Sequence, residues 1–371
     1  MGLYVHIPFC RKACHYCDFH FTVNLKGIKP LLQALSIEAQ NQAPFWTKQT
    51  FDSIYFGGGT PGLLGPQQLE PLLNTLRSNF SIAAEAEITL ETNPDDLLEF
   101  GAQAWKDLGI NRISLGIQSL NTQVLARLNR AHDAKQALQA LDKIEAAGFQ
   151  RVSVDLMFGL PGQSREDVLS AARELAQRDV HHISAYGLTV ETGTQLELAV
   201  RKGKEQLPEE EESAEQFLSL HAALSEAGFE HYEVSNYARA GQRSRHNSAY
   251  WSGEDYLGLG PSAHSLQADK RWFNRSSNGA YVQAMQQNTS IQDFEELSAN
   301  QKVNEWLMTR MRTVEGAEEK EAIRRVGKTQ WNIWQDLKSE FPASWFQTDK
   351  DLAFTAEGWL MMDSYLRKAI L

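Results

Sequence analysis

The sequence predicts an α/β fold: a partial (β/α)6 barrel followed by a small helical, winged-helix-like domain. Two observations predict it. Six short apolar runs are each followed by a helical pattern, which implies parallel βαβ units. From about residue 299 the strand signals stop and only helical periodicity remains. The expected division is a barrel over residues 1–230, a connecting region over 231–298 and a helical domain over 299–371.

The strand runs are Leu3 to Ile7, Ser53 to Phe56, Glu87 to Glu91, Arg112 to Ile117, Val152 to Leu156 and Ile183 to Leu188. Short apolar runs of this kind suit strands buried on both faces. Ala137, Leu138, Leu141 and Ile144 mark the apolar face of one intervening helix, with Gly148 as its stop. Asn93-Pro94-Asp95 reads as a helix start, and Ser164-Arg165-Glu166-Asp167 as a capping box. Glu209 to Glu212 follow Pro208, where their charges complement a helix N-terminus. Near the end, Trp306, Leu307 and Met311 predict one helix, Trp331, Trp334 and Leu337 another, and Trp359, Leu360 and Leu366 a last one.

The 371 residues carry a formal net charge of −11. An acidic chain repels phosphate backbones, so nucleic acid is not an expected partner. No transmembrane segment is expected, because no apolar run is long enough to span a bilayer. The first nine residues lack a basic start and include His6 and Pro8, unlike a secretory signal. A cytoplasmic location follows as the expectation.

The three cysteines are Cys10, Cys14 and Cys17, directly after the first strand and spaced C-x3-C-x2-C. An odd number packed this closely favours metal over disulfides. Three thiolates suit a [4Fe–4S] cubane and leave one iron open to a small chelating cosubstrate. Structural zinc is the alternative, with His6, His15 or His20 as fourth ligand.

Polar residues recur at the later strand ends. Phe56-Gly57-Gly58-Gly59-Thr60-Pro61 closes the second run, and its glycines permit close approach to backbone. Glu91 ends the third, Gln118 ends the fourth, and Asp155 lies in the fifth. Such groups are poor barrel core, and parallel β/α folds bind ligands at these C-terminal ends.

With Tyr4-Val5-His6-Ile7-Pro8-Phe9-Cys10, Gly57-Gly58-Gly59-Thr60-Pro61 and Gly159-Leu160-Pro161-Gly162 in this order, the chain resembles the radical S-adenosylmethionine superfamily. Within it, the chain is similar to the oxygen-independent coproporphyrinogen III oxidase group over nearly its whole length. By position, the resemblance makes Tyr4, Gly58 and Glu91 contacts to cluster-bound S-adenosylmethionine. It makes Tyr16, Gly59, Thr60, Gln118, Arg130 and Asp155 the set that holds a second such molecule in the oxidase, with Gly187 lining the same pocket. The implied chemistry is reductive cleavage of S-adenosylmethionine to methionine and a 5′-deoxyadenosyl radical, which calls for an electron donor. The cofactor carries this chemistry, and no side chain is singled out as catalytic.

Two departures separate the chain from the oxidase pattern. Cys17-Asp18 is followed by Phe19 where the oxidase has a further cysteine, and the chain begins three residues before Tyr4, where the oxidase has an extension. Both resemble the haem-chaperone branch of the group. Arg245-His246-Asn247-Ser248-Ala249-Tyr250-Trp251 contains the H-N-x-x-Y-W motif associated with haem in that branch. A neutral imidazole is a good axial ligand, and Tyr and Trp stack on a porphyrin. The alternative is a loop whose His246, Asn247, Tyr250 and Trp251 simply pack. The resemblance therefore implies a haem carrier that delivers haem to an acceptor protein, and coproporphyrinogen III oxidase is the competing expectation.

Overall fold

The computed structural model describes residues 1–268 and 270–371. Six strands, β1 (Gly2–Ile7), β2 (Thr50–Gly58), β3 (Ser81–Thr92), β4 (Arg112–Gln118), β5 (Val152–Phe158) and β6 (His182–Gly187), run parallel in sequence order. Each contains or nearly coincides with one predicted run. The apolar runs arise because the strands lie between barrel interior and helices; all seven residues of β4 are buried.

The return helices end where local chemistry stops them. Ser164 and Asp167 form a reciprocal capping box at the start of helix Arg165–Ala176. Gly148, at φ 69°, follows helix Ala134–Ala146 in the left-handed conformation that glycine adopts without strain. Glu210, Glu211 and Glu212 occupy the first turn of helix Glu210–Glu226, where the dipole favours them.

The described residues extend the sheet to twelve strands. Short strands β7 (Glu230–Glu233) and β8 (Asn236–Ala238) continue it antiparallel beyond β6. On the other edge β9 (Tyr256–Leu259) pairs parallel with β1, followed by antiparallel β10 (His264–Gln267), β11 (Lys270–Asn274) and β12 (Gln292–Glu295). Between β8 and β9 lies helix Arg245–Ser252, capped by Ser244 and closed by Gly253 at φ 72°. The H-N-x-x-Y-W segment is thus helical. It packs across the N-terminal end of β1: a Cβ on Gly2 would lie 2.9 Å from His246 Nδ1.

One hydrophobic core fills the barrel and reaches Trp272, Tyr281 and Ile291; a second gathers Trp306, Leu307, Met311, Trp331, Trp334, Trp359 and Tyr365. The second core belongs to helices Ala299–Arg310, Glu319–Lys338, Ala356–Leu360 and Met362–Ala369. The predicted last helix is two, broken at Met361 with φ −110° and ψ 9°. Trp359 and Leu366 still share the core.

Candidate cluster and cosubstrate site

The loop that carries the cysteines leaves β1 at Pro8 and is closed by paired backbone bonds. Cys10 N–H donates to Thr22 O at 3.0 Å and Thr22 N–H to Pro8 O at 2.8 Å. Its far side rests on the segment after β4: His15 N–H donates to Leu128 O, and Asn129 Nδ2 donates to Ala13 O at 2.8 Å. Arg11 ties it to helix Pro94–Phe100 through Asp96 and Glu99. The loop is therefore held at both ends with Cys10, Cys14 and Cys17 partly exposed and free of disulfides.

Burial pushes the Cys10 thiol up to about 12 and the Cys17 thiol up to about 11, so both stay protonated without a metal. The donor chemistry fits a cubane. Arg130 Nη1 lies 3.3 Å from Cys14 Sγ, placing a cation beside what a cluster would make anionic. Of the histidines that zinc would need, His6 has both ring nitrogens in hydrogen bonds, and His15 and His20 each have one. His6 bonds to Tyr4 Oη and to His20 O, His15 Nδ1 to Arg127 O, and His20 Nε2 to Asn278. Among the described residues, no three His, Cys, Asp or Glu side chains converge as a single ion requires. A cubane places its thiolates on different iron corners, so it asks for no such convergence.

Arg130 organises the neighbouring strand ends. Its Nη2 donates to Asn93 Oδ1 at 2.6 Å and to Gly116 O at 2.7 Å, and its Nη1 to Tyr16 Oη at 3.4 Å. Asn93 Nδ2 donates in turn to Thr60 Oγ1 at 3.1 Å, and the Thr60 hydroxyl lies 3.6 Å from Cys10 Sγ. Gln118 sits at φ 69°, a left-handed conformation that a side-chain-bearing residue rarely adopts, at the end of β4 beside Asn93 and Arg130. Tyr16, Thr60, Gln118 and Arg130 are thereby one connected group.

Glu91 and Asp155 form the inner part. Glu91 accepts from Tyr55 Oη at 2.7 Å and from Gly58 N–H at 3.0 Å. Asp155 accepts from Ser114 Oγ at 3.4 Å. Burial pushes Glu91 up to about 7 and Asp155 up to about 6. Below them lies a small polar cavity, about 40 Å³, walled among others by Arg112, Ser153, His182, Ser184 and Asn247. Gly187 ends β6 at the exposed rim, its missing Cβ 3.0 Å from the Phe158 ring.

The glycines serve packing as much as access. A Cβ on Gly58 would lie 2.3 Å from the His6 ring, and one on Gly59 would lie 2.6 Å from Phe9 O. Tyr4 is directed inward: its hydroxyl meets His6 Nδ1 at 2.9 Å, and its ring lies 6.2 Å from both Tyr55 and His246. Tyr55 and Asn93, which sequence reasoning missed as site residues, complete the site together with His6, which it offered only as a zinc ligand. Tyr55 had a signal, since alternation along β2 puts it on the same face as Ser53 and Gly57.

The H-N-x-x-Y-W residues lie apart from the cysteine loop, at the opposite end of the barrel interior. His246 is 2% exposed and its Nδ1 bonds Ser53 Oγ at 2.9 Å. Its ring stacks on Tyr55 at 4.8 Å and meets Tyr250 edge-on at 5.1 Å. Burial pushes its pKa down to about 3. Asn247 faces the polar cavity, and Trp251 Nε1 is buried without a partner among the described residues.

Comparison with known proteins places this geometry in a family. Residues 4–175 match the model of the radical SAM superfamily. The heme chaperone HemW of Mycobacterium tuberculosis is 37% identical over 320 residues, 85% of this chain and 82% of its own. The chain belongs to the HemW family. The HemW of Escherichia coli K12 is 32% identical over 372 residues, 99% of this chain and 97% of its own. The solved structure of the coproporphyrinogen III oxidase HemN of Escherichia coli aligns with 100% of this chain and 89% of its own, at a TM-score of 0.82 and 22% identity. That likeness shows the fold. Membership of the radical SAM superfamily implies a [4Fe–4S] cluster and S-adenosylmethionine for HemW-family chains, consistent with the donor set above. No helix among the described residues is long and apolar enough to cross a membrane.

Proposed function

We propose that the protein is a haem chaperone: it binds haem as cargo, holds a [4Fe–4S] cluster with S-adenosylmethionine, and passes haem to an acceptor protein in a reducing, cytoplasmic setting. The observation that carries this is the match to HemW relatives over essentially the whole chain, including the segment with His246. When bound, the cluster supplies one-electron chemistry from an external donor. The chain's own part is placement. Cys10, Cys14 and Cys17 would hold the cluster, Arg130 balances its charge, and Glu91 accepts hydrogen bonds from the cosubstrate. Tyr4, Gly58 and Glu91 serve the cluster-bound S-adenosylmethionine; Tyr16, Gly59, Thr60, Gln118, Arg130, Asp155 and Gly187 line the space of a second. His246, Asn247, Tyr250 and Trp251 form the haem segment, with His246 as ligand once its helix leaves the barrel.

The competing reading, oxidative decarboxylation of coproporphyrinogen III, has the shared fold in its favour. The test is an anaerobic haemin titration of cluster-loaded protein followed by gel filtration. Co-eluting haem with a shifted Soret band is the expected result. Haem that elutes free at micromolar protein removes the chaperone reading.

A further inference from the structure

Glu91 and the haem segment are joined through a single side chain. Tyr55 gives its hydroxyl to Glu91 Oε1 at 2.7 Å, and its ring lies on the His246 imidazole at 4.8 Å with planes 22° apart. Among the described residues, Glu91 has one other hydrogen-bond donor, Gly58 N–H. The position of the carboxylate therefore depends on where Tyr55 sits, and Tyr55 sits on His246.

The helix that carries His246 has a built seat. The Glu87 carboxylate accepts from Arg245 N–H at 3.1 Å and from His246 N–H at 3.3 Å, covering the helix N-terminus. Glu87 and Glu91 are four residues apart on β3, so they share one strand face. One holds the haem segment and the other faces the cosubstrate. Gly241 and Gly253, both at positive φ with no heavy atom within 4 Å of their missing Cβ, lie on either side of the eight-residue helix, where backbone rotation meets no side chain of their own.

The seated state also leaves a polar group unpaired. His246 Nε2 is buried and has no partner among the described residues. An orphaned ring nitrogen is costly in a buried site, and it is the nitrogen a metal would take. Ligation of iron by Nε2 would satisfy it, and a macrocycle cannot reach it while the helix is seated, because His246 is 2% exposed.

We propose that Tyr55 is a positioning residue that couples the haem segment to the cosubstrate site, so that haem and S-adenosylmethionine oppose each other's binding. This rests on the haem-chaperone reading and adds to it a rule for release. With the helix seated, Tyr55 is backed by His246 and sets Glu91 for the cosubstrate. With the helix withdrawn by haem, Tyr55 loses its floor and Glu91 its alignment. Linkage requires the two effects to be equal, so S-adenosylmethionine must weaken haem by the factor by which haem weakens it.

The experiment is anaerobic calorimetry of S-adenosylmethionine binding to the cluster-loaded full chain, with and without saturating haemin. In wild type, haemin should raise the Kd by at least about fivefold, the lower end of ordinary coupling between sites. In Tyr55→Phe the Kd should rise without haemin and change less than about twofold on adding it. His246→Ala should weaken the cosubstrate in the wild-type background and have no further effect in Tyr55→Phe. Cluster content and circular dichroism of each variant confirm the fold, and the conservative Tyr55→Phe decides alone if His246→Ala does not fold. A wild-type Kd indifferent to bound haemin, or His246→Ala and Tyr55→Phe effects that simply multiply, overturns the coupling. Failure of haemin to bind at all sinks the chaperone reading instead, and the haem-free pair of variants still tests Tyr55.

Discussion

Replacing Glu91 with glutamine tests the inner part of the site with little change in volume. In the structure the carboxylate offers one oxygen to Tyr55 Oη and the other to Gly58 N–H. Glutamine can still accept from Gly58 N–H and donate its amide to the Tyr55 hydroxyl, so both contacts can persist as neutral bonds while the charge is lost. A hydrogen bond to a charged group contributes about 1.5–3 kcal/mol, so losing the charge-assisted contact to S-adenosylmethionine should weaken binding roughly 10- to 150-fold. The pH dependence is the sharper signature. Burial raises the Glu91 carboxyl to about 7, so it is mostly protonated at pH 6 and mostly ionised at pH 8. If the ionised form is the acceptor, wild-type affinity should climb about tenfold over that interval, as one unit of titration on either side of the pKa dictates. For the ligand-free chain the sign is opposite. Its folded form keeps a proton that the unfolded chain releases near 4.5, so stability should fall as pH rises from there to about 7. Calorimetry of cluster-loaded protein at pH 6, 7 and 8 reads the binding side. A Glu91→Gln protein with wild-type affinity and the wild-type pH profile would refute the assignment.

Cys10→Ser, Cys14→Ser and Cys17→Ser should each abolish the cluster, read as iron and acid-labile sulfide after anaerobic reconstitution; stoichiometric zinc in wild-type protein purified without oxygen, with no iron uptake, would contradict the cubane. Arg112→Met removes the cation 3.7 Å from the buried Glu87 carboxylate, leaving it the backbone donors of Arg245 and His246, and should destabilise the fold by up to about 3–5 kcal/mol in denaturant titrations, whereas an exposed pair such as Lys368–Glu340 should cost under about 1 kcal/mol. Trp334→Ala, at the centre of the second core, should cost about 3–5 kcal/mol and release its helices to protease, while cluster uptake persists; loss of the cluster together with the C-terminal core would show that the two parts do not stand apart. Coproporphyrinogen III should remain unchanged under reducing, anaerobic conditions with S-adenosylmethionine, and protoporphyrinogen formation would favour the oxidase reading.

Much of the site was legible because the barrel makes polar residues conspicuous. Glu91, Gln118 and Asp155 stand out at the ends of runs that are otherwise apolar, and the cysteine spacing depends on one loop. Tyr55 was not legible as a site residue, and His6 only as a candidate zinc ligand, since an aromatic or a histidine in a strand also fits a packed interior. Their roles come from partners outside their own strands, Glu91 on β3 for Tyr55 and His20 in the cysteine loop for His6, and no local pattern encodes these. Strands β7 to β12 escaped for a related reason. At three to five residues they are too short to display an alternation, and pairing across the sheet, not propensity, makes them strands. The His246 segment shows the limit most clearly. Its residue types suit a haem ligand, but only the fold shows that the ring is buried against Tyr55 with one nitrogen unpaired.

A haem chaperone must give its haem away, so transfer to an acceptor is the decisive measurement. Cluster-loaded protein charged with haem is mixed anaerobically with an excess of a haem-depleted haem protein, with S-adenosylmethionine added in one arm, and the acceptor's Soret band is followed in time. About one haem per chain should move to the acceptor, faster in the arm with S-adenosylmethionine. Haem that stays on the chain in both arms, or leaves at the rate of free haemin from a nonspecific carrier such as serum albumin, would contradict the chaperone reading.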